Sequence, residues 1–234
     1  MQQKREEEVK RVEALFRKGN ELYRKASFKE ANEVFFRVTE KRKQVLGSTH
    51  PDTLDAEYNY ANTLRNLKQY KQAVTVYQGL VHKRKQTLSK WHPDTLDTLY
   101  NYGQTLYELG SFKEAKKVCE EVIEISEEVL LPNHPDTLDV KFTYGLALYE
   151  LREYPKAERI FLEVIKGRKE ILGGRARQTL NAMNNYATTL KKMEKYEEAG
   201  KIYWEVIQAA KDCPDTKDIW KVAQFNYWRL PKQK

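Results

Sequence analysis

The sequence has few of the residues that disulfide-rich, fibrous or low-complexity proteins need. Only two cysteines and 10 glycines occur among 234 residues, which excludes a disulfide-stapled domain and a collagen-like chain. No run approaches the roughly 18 to 20 apolar residues that a membrane-spanning helix requires, and the charged first residues have no apolar core behind them. We therefore expect a cytoplasmic protein that does not insert into membranes.

The residues that are present suit a helix-rich globular protein, since 40% are hydrophobic and 32% are charged. The chain carries 42 basic and 34 acidic side chains, a net charge of +8. This surplus lies toward the two ends, because residues 92–133 hold nine acidic and three basic side chains. A nucleic-acid-binding array would carry a continuous basic stripe, so the acidic interruption argues against nucleic acid as a partner.

A repeat organises the chain. The sequence His-Pro-Asp-Thr-Leu begins at residues 50, 92 and 134, a spacing of 42, and one period later only Thr179-Leu180 is kept. An aromatic residue followed three residues later by alanine obeys the same period five times, at Phe28, Tyr70, Phe112, Tyr154 and Tyr196. Agreement at a fixed period of this size is the signature of a repeat architecture.

Each repeat contains two amphipathic helices. Leu54, Tyr58, Ala61 and Leu64 recur at helical spacing, and a second helical pattern follows the aromatic residue. The first helix should begin after His-Pro, with Asp52 as its cap and Asp55 as the partner of that cap.

A single hairpin of this kind cannot bury its apolar face, so successive hairpins must stack. We therefore predict an all-α fold, a right-handed α-solenoid of five helical hairpins plus a C-terminal capping helix. The prediction treats residues 1–234 as one array, with repeats at about 8–49, 50–91, 92–133, 134–175 and 176–213 and the capping helix at 215–230.

The repeat columns resemble the tetratricopeptide repeat, with a small residue, leucine, alanine and a large residue at the spacing of Ala61, Leu64, Ala73 and Tyr77. The 42-residue period, the His-Pro-Asp-Thr-Leu start and Asn59-Tyr60-Ala61 resemble the repeats of kinesin light chain. They are also similar to arrays at the C-terminal end of some STAND-type signalling ATPases. The resemblance is specific for the fold and much less specific for function.

The resemblance implies that the first helix of each repeat lines a concave groove that binds a peptide. Aromatic rings would give contact area, amides would bond a peptide backbone, and basic residues would attract acidic flanks. The candidate residues are Tyr58, Asn59, Asn62, Arg65, Tyr100, Asn101, Gln104, Tyr107, Phe142, Tyr149, Asn185, Lys191 and Lys192. Two structural alternatives stay open: the rings could pack between adjacent first helices, and the asparagines could form hydrogen bonds between helices.

We expect a non-catalytic scaffold or adaptor that binds a peptide or partner protein, as kinesin-light-chain-like cargo adaptors do. Three of the four histidines precede proline in equivalent loops, so they should not converge on a metal or nucleophile, and we predict no catalytic residues, metal site or cofactor. The alternative is a ligand-sensing or assembly segment of a larger STAND-type or NLR-type protein. Self-association through the ends of the array is a third possibility.

Overall fold

The computed structural model describes residues 2–129, 133–211 and 213–231. The chain divides into two compact units, unit 1 (residues 1–111) and unit 2 (residues 112–234). The described residues contain eleven α-helices, one 3-10 turn and no strand, which confirms the predicted all-α fold of stacked helical hairpins. The predicted end points of the array, residues 1 and 234, fall outside the described residues, and the division into one array stays a prediction.

Unit 1 consists of five helices in which each helix packs on the next along the chain. They are α1 (Gln2–Arg24), α2 (Phe28–Leu46), α3 (Pro51–Asn66), α4 (Tyr70–Thr87) and α5 (Pro93–Leu109). The second helix of each hairpin begins at the aromatic residue that the repeat predicts. The core of unit 1 includes Phe35, Leu64 and Tyr77, none of which is more than 1% exposed.

Unit 2 follows the same order of packing. Its helices are α6 (Phe112–Val129), α7 (Pro135–Glu150), α8 (Tyr154–Leu172), α9 (Arg177–Lys192), α10 (Tyr196–Ala210) and α11 (Lys217–Trp228). One continuous apolar cluster runs through α7 to α11 and includes the buried rings of Phe161 and Tyr203.

Two of the hairpins bring their helices close enough to require glycine. A Cβ atom built on Gly19 would lie 2.8 Å from the Phe35 ring, and one on Gly145 would lie 2.8 Å from the Phe161 ring. Such distances are below van der Waals contact, so a side chain at either glycine would force the buried ring to move. The small-residue column of the sequence therefore reflects this close approach.

Histidine, not aspartate, caps the first helices α3, α5 and α7. Nδ1 of His50, His92 and His134 accepts a hydrogen bond from the main-chain N–H two residues later, at 3.2 to 3.3 Å. The prediction that Asp52 caps α3 with Asp55 as its partner is wrong. Proline occupies the first helical position, and the residue before it is then the N-cap.

Arginines buried at the period of the repeat tie neighbouring hairpins together. Arg42, Arg84 and Arg168 are 3 to 4% exposed, and each donates through Nη1 to a main-chain carbonyl ten residues later. Each also donates to a carboxylate 29 residues earlier, on Glu13, Asp55 and Asp139 respectively. The column is interrupted at Ser126.

The predicted capping helix is present as α11, preceded by a 3-10 turn at Pro214–Thr216. Ile219 and Ala223 are its buried residues, and Arg177 at the start of α9 forms a two-pronged ion pair with Asp218, with Nη1 2.8 Å from Oδ1. The turn repeats the Pro-Asp-Thr sequence of the earlier loops five residues ahead of the 42-residue register. Here the proline opens the 3-10 turn, and α11 itself begins three residues later at Lys217, unlike α3, α5 and α7, which begin at their prolines.

Candidate functional site

Unit 1 brings several predicted site residues into one polar network between α3 and α5. Nη1 of Arg65 donates to Asn101 Oδ1 at 2.7 Å and to Gln104 Oε1 at 2.8 Å. Nε2 of Gln104 donates in turn to the hydroxyl of Tyr100. These bonds join two first helices that are adjacent in space, so the amides serve the protein's own structure as well as any ligand.

The partners of Asn101 define how its amide is oriented. Asn101 is 8% exposed, and its Nδ2 donates to the Tyr58 hydroxyl at 2.9 Å, to the Asp97 carbonyl at 2.9 Å and to Asp97 Oδ1 at 3.0 Å. With acceptors surrounding the nitrogen, the amide oxygen is the atom that faces Arg65. Asn101 thus fixes the position of the guanidinium through a neutral acceptor.

Arg65 forms one long ion pair and no hydrogen bond with a carboxylate among the described residues. Its side chain is 24% exposed, and the nearest carboxylate oxygen, Glu108 Oε2, lies 3.9 Å from Nε, beyond hydrogen-bond distance. Burial raises the pKa of Glu108, although the neighbouring Arg65 lowers it. Nη2 of Arg65 has no hydrogen-bond acceptor in the part of the chain that the structure describes. The amide oxygens therefore orient the guanidinium without neutralising it.

The aromatic residues Tyr58 and Phe142 pack inside their own hairpins on one side. The Tyr58 ring lies 6.4 Å from the Tyr77 ring in unit 1, and the Phe142 ring lies 5.9 Å from the Phe161 ring in unit 2. A buried arginine covers each ring, at 5.2 Å for Tyr58 and 4.7 Å for Phe142. Burial accordingly raises the pKa of Tyr58 well above its usual range. Both rings are half-buried, so only part of each remains as contact area.

Three predicted asparagines form hydrogen bonds within their own hairpins. Nδ2 of Asn59 donates to the Asp55 carbonyl at 3.0 Å, and Nδ2 of Asn185 donates to the Asn181 carbonyl at 2.9 Å. Asn62 Oδ1 accepts from the Tyr77 hydroxyl, a buried residue that the sequence prediction did not include. All three side chains are half-buried, so part of each is exposed to solvent.

The remaining predicted aromatics, Tyr107 on α5 and Tyr149 on α7, are also half-buried. The Tyr149 ring lies 5.6 Å from the Tyr154 ring at the start of the next helix, and burial raises the pKa of its hydroxyl. These rings sit at the C-terminal ends of first helices, in the column that holds Arg65. At the 42-residue period this column reads Tyr23, Arg65, Tyr107, Tyr149 and Lys191, so basic and aromatic residues share it.

Lys191 and Lys192 end α9 in unit 2. Lys191 is half-buried and Lys192 is exposed, and no carboxylate among the described residues lies within ion-pair distance of either. Both occupy the last turn of the helix, where a positive charge interacts favourably with the helix dipole. Unit 2 thus carries its own unpaired basic residues at the predicted surface.

Asp97 belongs to the polar network around Arg65 in unit 1, because it accepts hydrogen bonds from Asn101. The sequence prediction did not include it. Asp97 occupies the column of Asp55 and Asp139, which bind buried arginines 29 residues later. Twenty-nine residues after Asp97 stands Ser126, so this carboxylate has no arginine of that column to bind. The interrupted arginine column was a signal in the sequence that could have identified Asp97.

The described residues contain no cluster of three or more histidine, cysteine or acidic side chains that could hold a metal ion. Three histidines are used as helix caps, and Cys119 is buried in an apolar environment that raises the pKa of its thiol to about 12. None of the helices in the described ranges is both long and apolar enough to cross a bilayer.

Two family models, both described as tetratricopeptide repeat, match the sequence, one at residues 94–170 and 143–212 and the other at residues 55–87. Together the matches of the first model cover half of the chain. No curated protein matches the sequence.

Several solved structures share the fold. A variant of a Podosopora anserina protein described as a kinesin light chain with nearly identical TPR-like repeats has a TM-score of 0.75 and 20% identity, covering 85% of this chain and 94% of that one. YrrB, described as a TPR protein with an unusual peptide-binding site, has a TM-score of 0.63 and 17% identity, with 94% and 96% covered. A Rap protein complexed with competence and sporulation factor has a TM-score of 0.66 and 14% identity, with 88% of this chain but 55% of that one covered. At these identities the likeness is one of fold.

Proposed function

We propose, from the premise that this chain belongs to the tetratricopeptide repeat family, that it is a non-catalytic protein-interaction scaffold. It binds a peptide or partner protein along its first helices, in the manner of kinesin-light-chain-like adaptors. Two proteins of similar fold support a peptide or protein as the ligand: YrrB is described by its peptide-binding site, and the Rap protein is described in complex with a factor.

The observation that carries the proposal is the position of Arg65. Two amide oxygens hold its guanidinium at 2.7 and 2.8 Å, and the amides are themselves fixed by further hydrogen bonds. A positive group that is held in place before binding loses little entropy when a ligand arrives. Within unit 1, this arrangement supports a recognition role for Arg65.

The ligand group that fits Arg65 is a carboxylate. A guanidinium offers five N–H donors in a planar fork that suits carboxylate geometry, and two of these donors, on Nη2, have no acceptor in the described residues. Glu108 at 3.9 Å is the intramolecular competitor for the same charge. The partner segment should therefore carry glutamate or aspartate near the position that Arg65 reaches, while half-buried rings such as Tyr100 contact its apolar side chains.

A peptide array tests this directly. Each acidic peptide on the array is paired with a copy in which glutamine replaces glutamate, and binding of the whole chain is compared with that of Arg65→Gln. The control is Arg37→Gln, an equal loss of charge at an exposed position on the second helix α2 of the same unit. Circular dichroism and thermal melting establish that both variants keep the fold.

We expect the parent chain to prefer the glutamate member of a pair, and we expect added salt to weaken that preference. Arg65→Gln should abolish the preference, whereas Arg37→Gln should retain it. If the parent chain bound the glutamate and glutamine members of every peptide pair equally, Arg65 would not be the recognition group. Binding that survives in Arg65→Gln with its preference intact would locate the site elsewhere.

Further details stay predictions. These are the cytoplasmic location, the extension of the binding surface to Lys191 and Lys192 of unit 2, and self-association. The receptor-segment alternative requires a nucleotide-binding domain in the same polypeptide, which a transcript encoding both would establish.

A further inference from the structure

Unit 2 contains an open cleft of about 520 Å³ between α10 and the end of α11. Tyr196, Gly200 and Trp204 line it from one face of α10, while Tyr227, Trp228 and Leu230 line it from the other side. A volume of this size falls within the roughly 300 to 1,000 Å³ of typical ligand sites. None of its lining residues belongs to the site proposed around Arg65.

The side chains that form ion pairs at the equivalent positions of the two preceding repeats have no counterpart at residue 200. In the two preceding repeats of unit 2, the equivalent residues reach the next turn of the chain: Lys116 binds Glu153 at 2.8 Å, and Glu158 binds Lys195 at 2.7 Å. Glycine replaces these bridges at residue 200, and a Cβ atom built there would make only ordinary contact, 3.4 Å from Leu230. Gly200 therefore lines the cleft without a side chain that would cover it.

Aromatic rings form the walls of this space. The rings of Trp204 and Tyr227 lie 5.7 Å apart, and those of Tyr227 and Trp228 lie 5.5 Å apart, so the three make a continuous apolar surface. Trp204 is 51% exposed and Trp228 is 70% exposed. Indole and phenol groups add hydrogen-bond donors at the edges of the apolar rings. The cleft thus offers flat apolar contacts together with donors for carbonyl oxygens.

The charges at the rim cancel. Lys201 Nζ and Glu197 Oε1 are 2.7 Å apart, and both side chains are largely exposed. The lining therefore presents no net charge, and an uncharged ligand complements it better than an acidic or a basic one. This property distinguishes the cleft from the surface around Arg65.

The aromatic face is long enough for a short extended segment of a partner protein. From Tyr196 to Trp204 the helix rises eight residues, or about 12 Å at roughly 1.5 Å per residue. A polyproline II segment rises about 3.1 Å per residue, so about four of its residues span the same distance. We propose that this cleft binds a proline-rich segment of a partner protein in the polyproline II conformation, a mode in which aromatic grooves pack on proline rings and donate to backbone carbonyls.

The test uses an acetylated, amidated decaproline peptide as probe and a Gly-Ser decapeptide as its control. The whole chain is labelled with nitrogen-15, and the indole N–H signals of its four tryptophans are followed during titration. We expect the signals of Trp204 and Trp228 to shift and saturate with decaproline, and the signal of Trp91 in unit 1 to stay in place. The Gly-Ser peptide should shift none of them.

Two variants and one matched control complete the experiment. Trp204→Ala removes a wall, and Gly200→Leu fills the cleft, so each should weaken decaproline binding by roughly tenfold or more. Leu162→Ala removes an exposed apolar side chain at the equivalent position of the preceding repeat and should leave binding unchanged. Thermal melting verifies that all three variants are folded.

Absence of indole shifts, or equal affinity for the Gly-Ser peptide, would overturn the proposal. It would also be overturned if the mass of the chain rose with concentration and Trp204→Ala abolished that rise, because a second copy would then be the occupant. Loss of acidic-peptide binding in Arg65→Gln has no bearing on these outcomes, so the two proposals fail separately.

Discussion

Replacing the buried arginine Arg84 by methionine should destabilise unit 1 substantially. Arg84 is 3% exposed and donates to the Asp94 carbonyl and the Thr98 hydroxyl at 2.8 Å each, and to Asp55 Oδ1 at 2.7 Å. Its guanidinium also covers the Tyr58 ring. Methionine keeps much of the apolar stem, so the variant isolates the loss of the charged head.

The size of the destabilisation depends on the groups that lose their contact with Arg84. Removing one member of a buried ion pair costs about 3 to 5 kcal/mol when the other charge is left buried. The Asp55 side chain is 51% exposed and can regain water. The Asp94 carbonyl keeps its hydrogen bond from Thr98 at 2.6 Å. We therefore expect a loss of free energy of unfolding just below that range, about 2 to 3 kcal/mol.

The destabilisation caused by Arg84→Met should become smaller as the pH falls. Burial raises the pKa of Asp55 above its usual range, while Arg84 acts in the opposite direction, so the variant should raise this pKa further. A carboxyl whose pKa is raised on folding favours the folded state in its protonated form. Below both pKa values Asp55 is neutral in either protein, and the parent no longer gains from the ion pair. The difference between the proteins is then smallest.

Urea denaturation followed by far-ultraviolet circular dichroism measures the free energies of unfolding of the parent and of Arg84→Met. The comparison is made at about pH 7 and again at about pH 3.5, near the usual pKa of aspartate. The single variant Asp55→Asn and the double variant Asp55→Asn, Arg84→Met complete a double-mutant cycle that isolates the energy of the pair. A cost below about 0.5 kcal/mol, the range of ordinary surface substitutions, would refute the structural role of Arg84. An unchanged cost at the lower pH would refute the assignment of Asp55 as its partner.

Three further changes test the packing of the hairpins. Glu57→Gln should cost roughly 1 to 3 kcal/mol in urea denaturation, because Glu57 is 4% exposed and accepts from Lys83 at 2.7 Å. His92→Ala should lower the free energy of unfolding by about 1 kcal/mol because the helix cap is lost, and His92→Asn should restore most of it. Equal melting temperatures for the two variants would contradict the role of His92 as a cap. Gly145→Val should lower the free energy of unfolding by roughly 2 to 3 kcal/mol, because a Cβ would lie 2.8 Å from the Phe161 ring. An unchanged unfolding midpoint would show that the ring can move at no cost.

The sequence was sufficient to predict the helices because hydrophobic spacing and the 42-residue period both depend on local geometry. Every second helix begins at its predicted aromatic residue, from Phe28 to Tyr196. The caps were predicted wrongly for a reason that is also local. Aspartate and histidine both stand near the helix start, but proline at the first helical position makes the residue before it, such as His50, the cap.

The contacts of the candidate site could not be predicted in the same way. A repeat period identifies equivalent positions, but it does not say which side chains meet across neighbouring helices. The bonds from Arg65 to Asn101 and Gln104 depend on how α3 and α5 lie against each other. Composition also misleads at the buried arginines, since a charged residue such as Arg84 is normally expected at the surface.

The column of Asp55, Asp97 and Asp139 links the packing of the hairpins to the candidate site. Asp55 and Asp139 each bind a buried arginine, so their carboxylates are committed to joining hairpins. Asp97 stands in the same column without such an arginine, and its carboxylate accepts from Asn101 instead. Asn101 in turn orients Arg65. A carboxylate position that joins hairpins at Asp55 and Asp139 therefore serves a polar network at Asp97, which is how a repeat built for packing can carry a site in one of its copies.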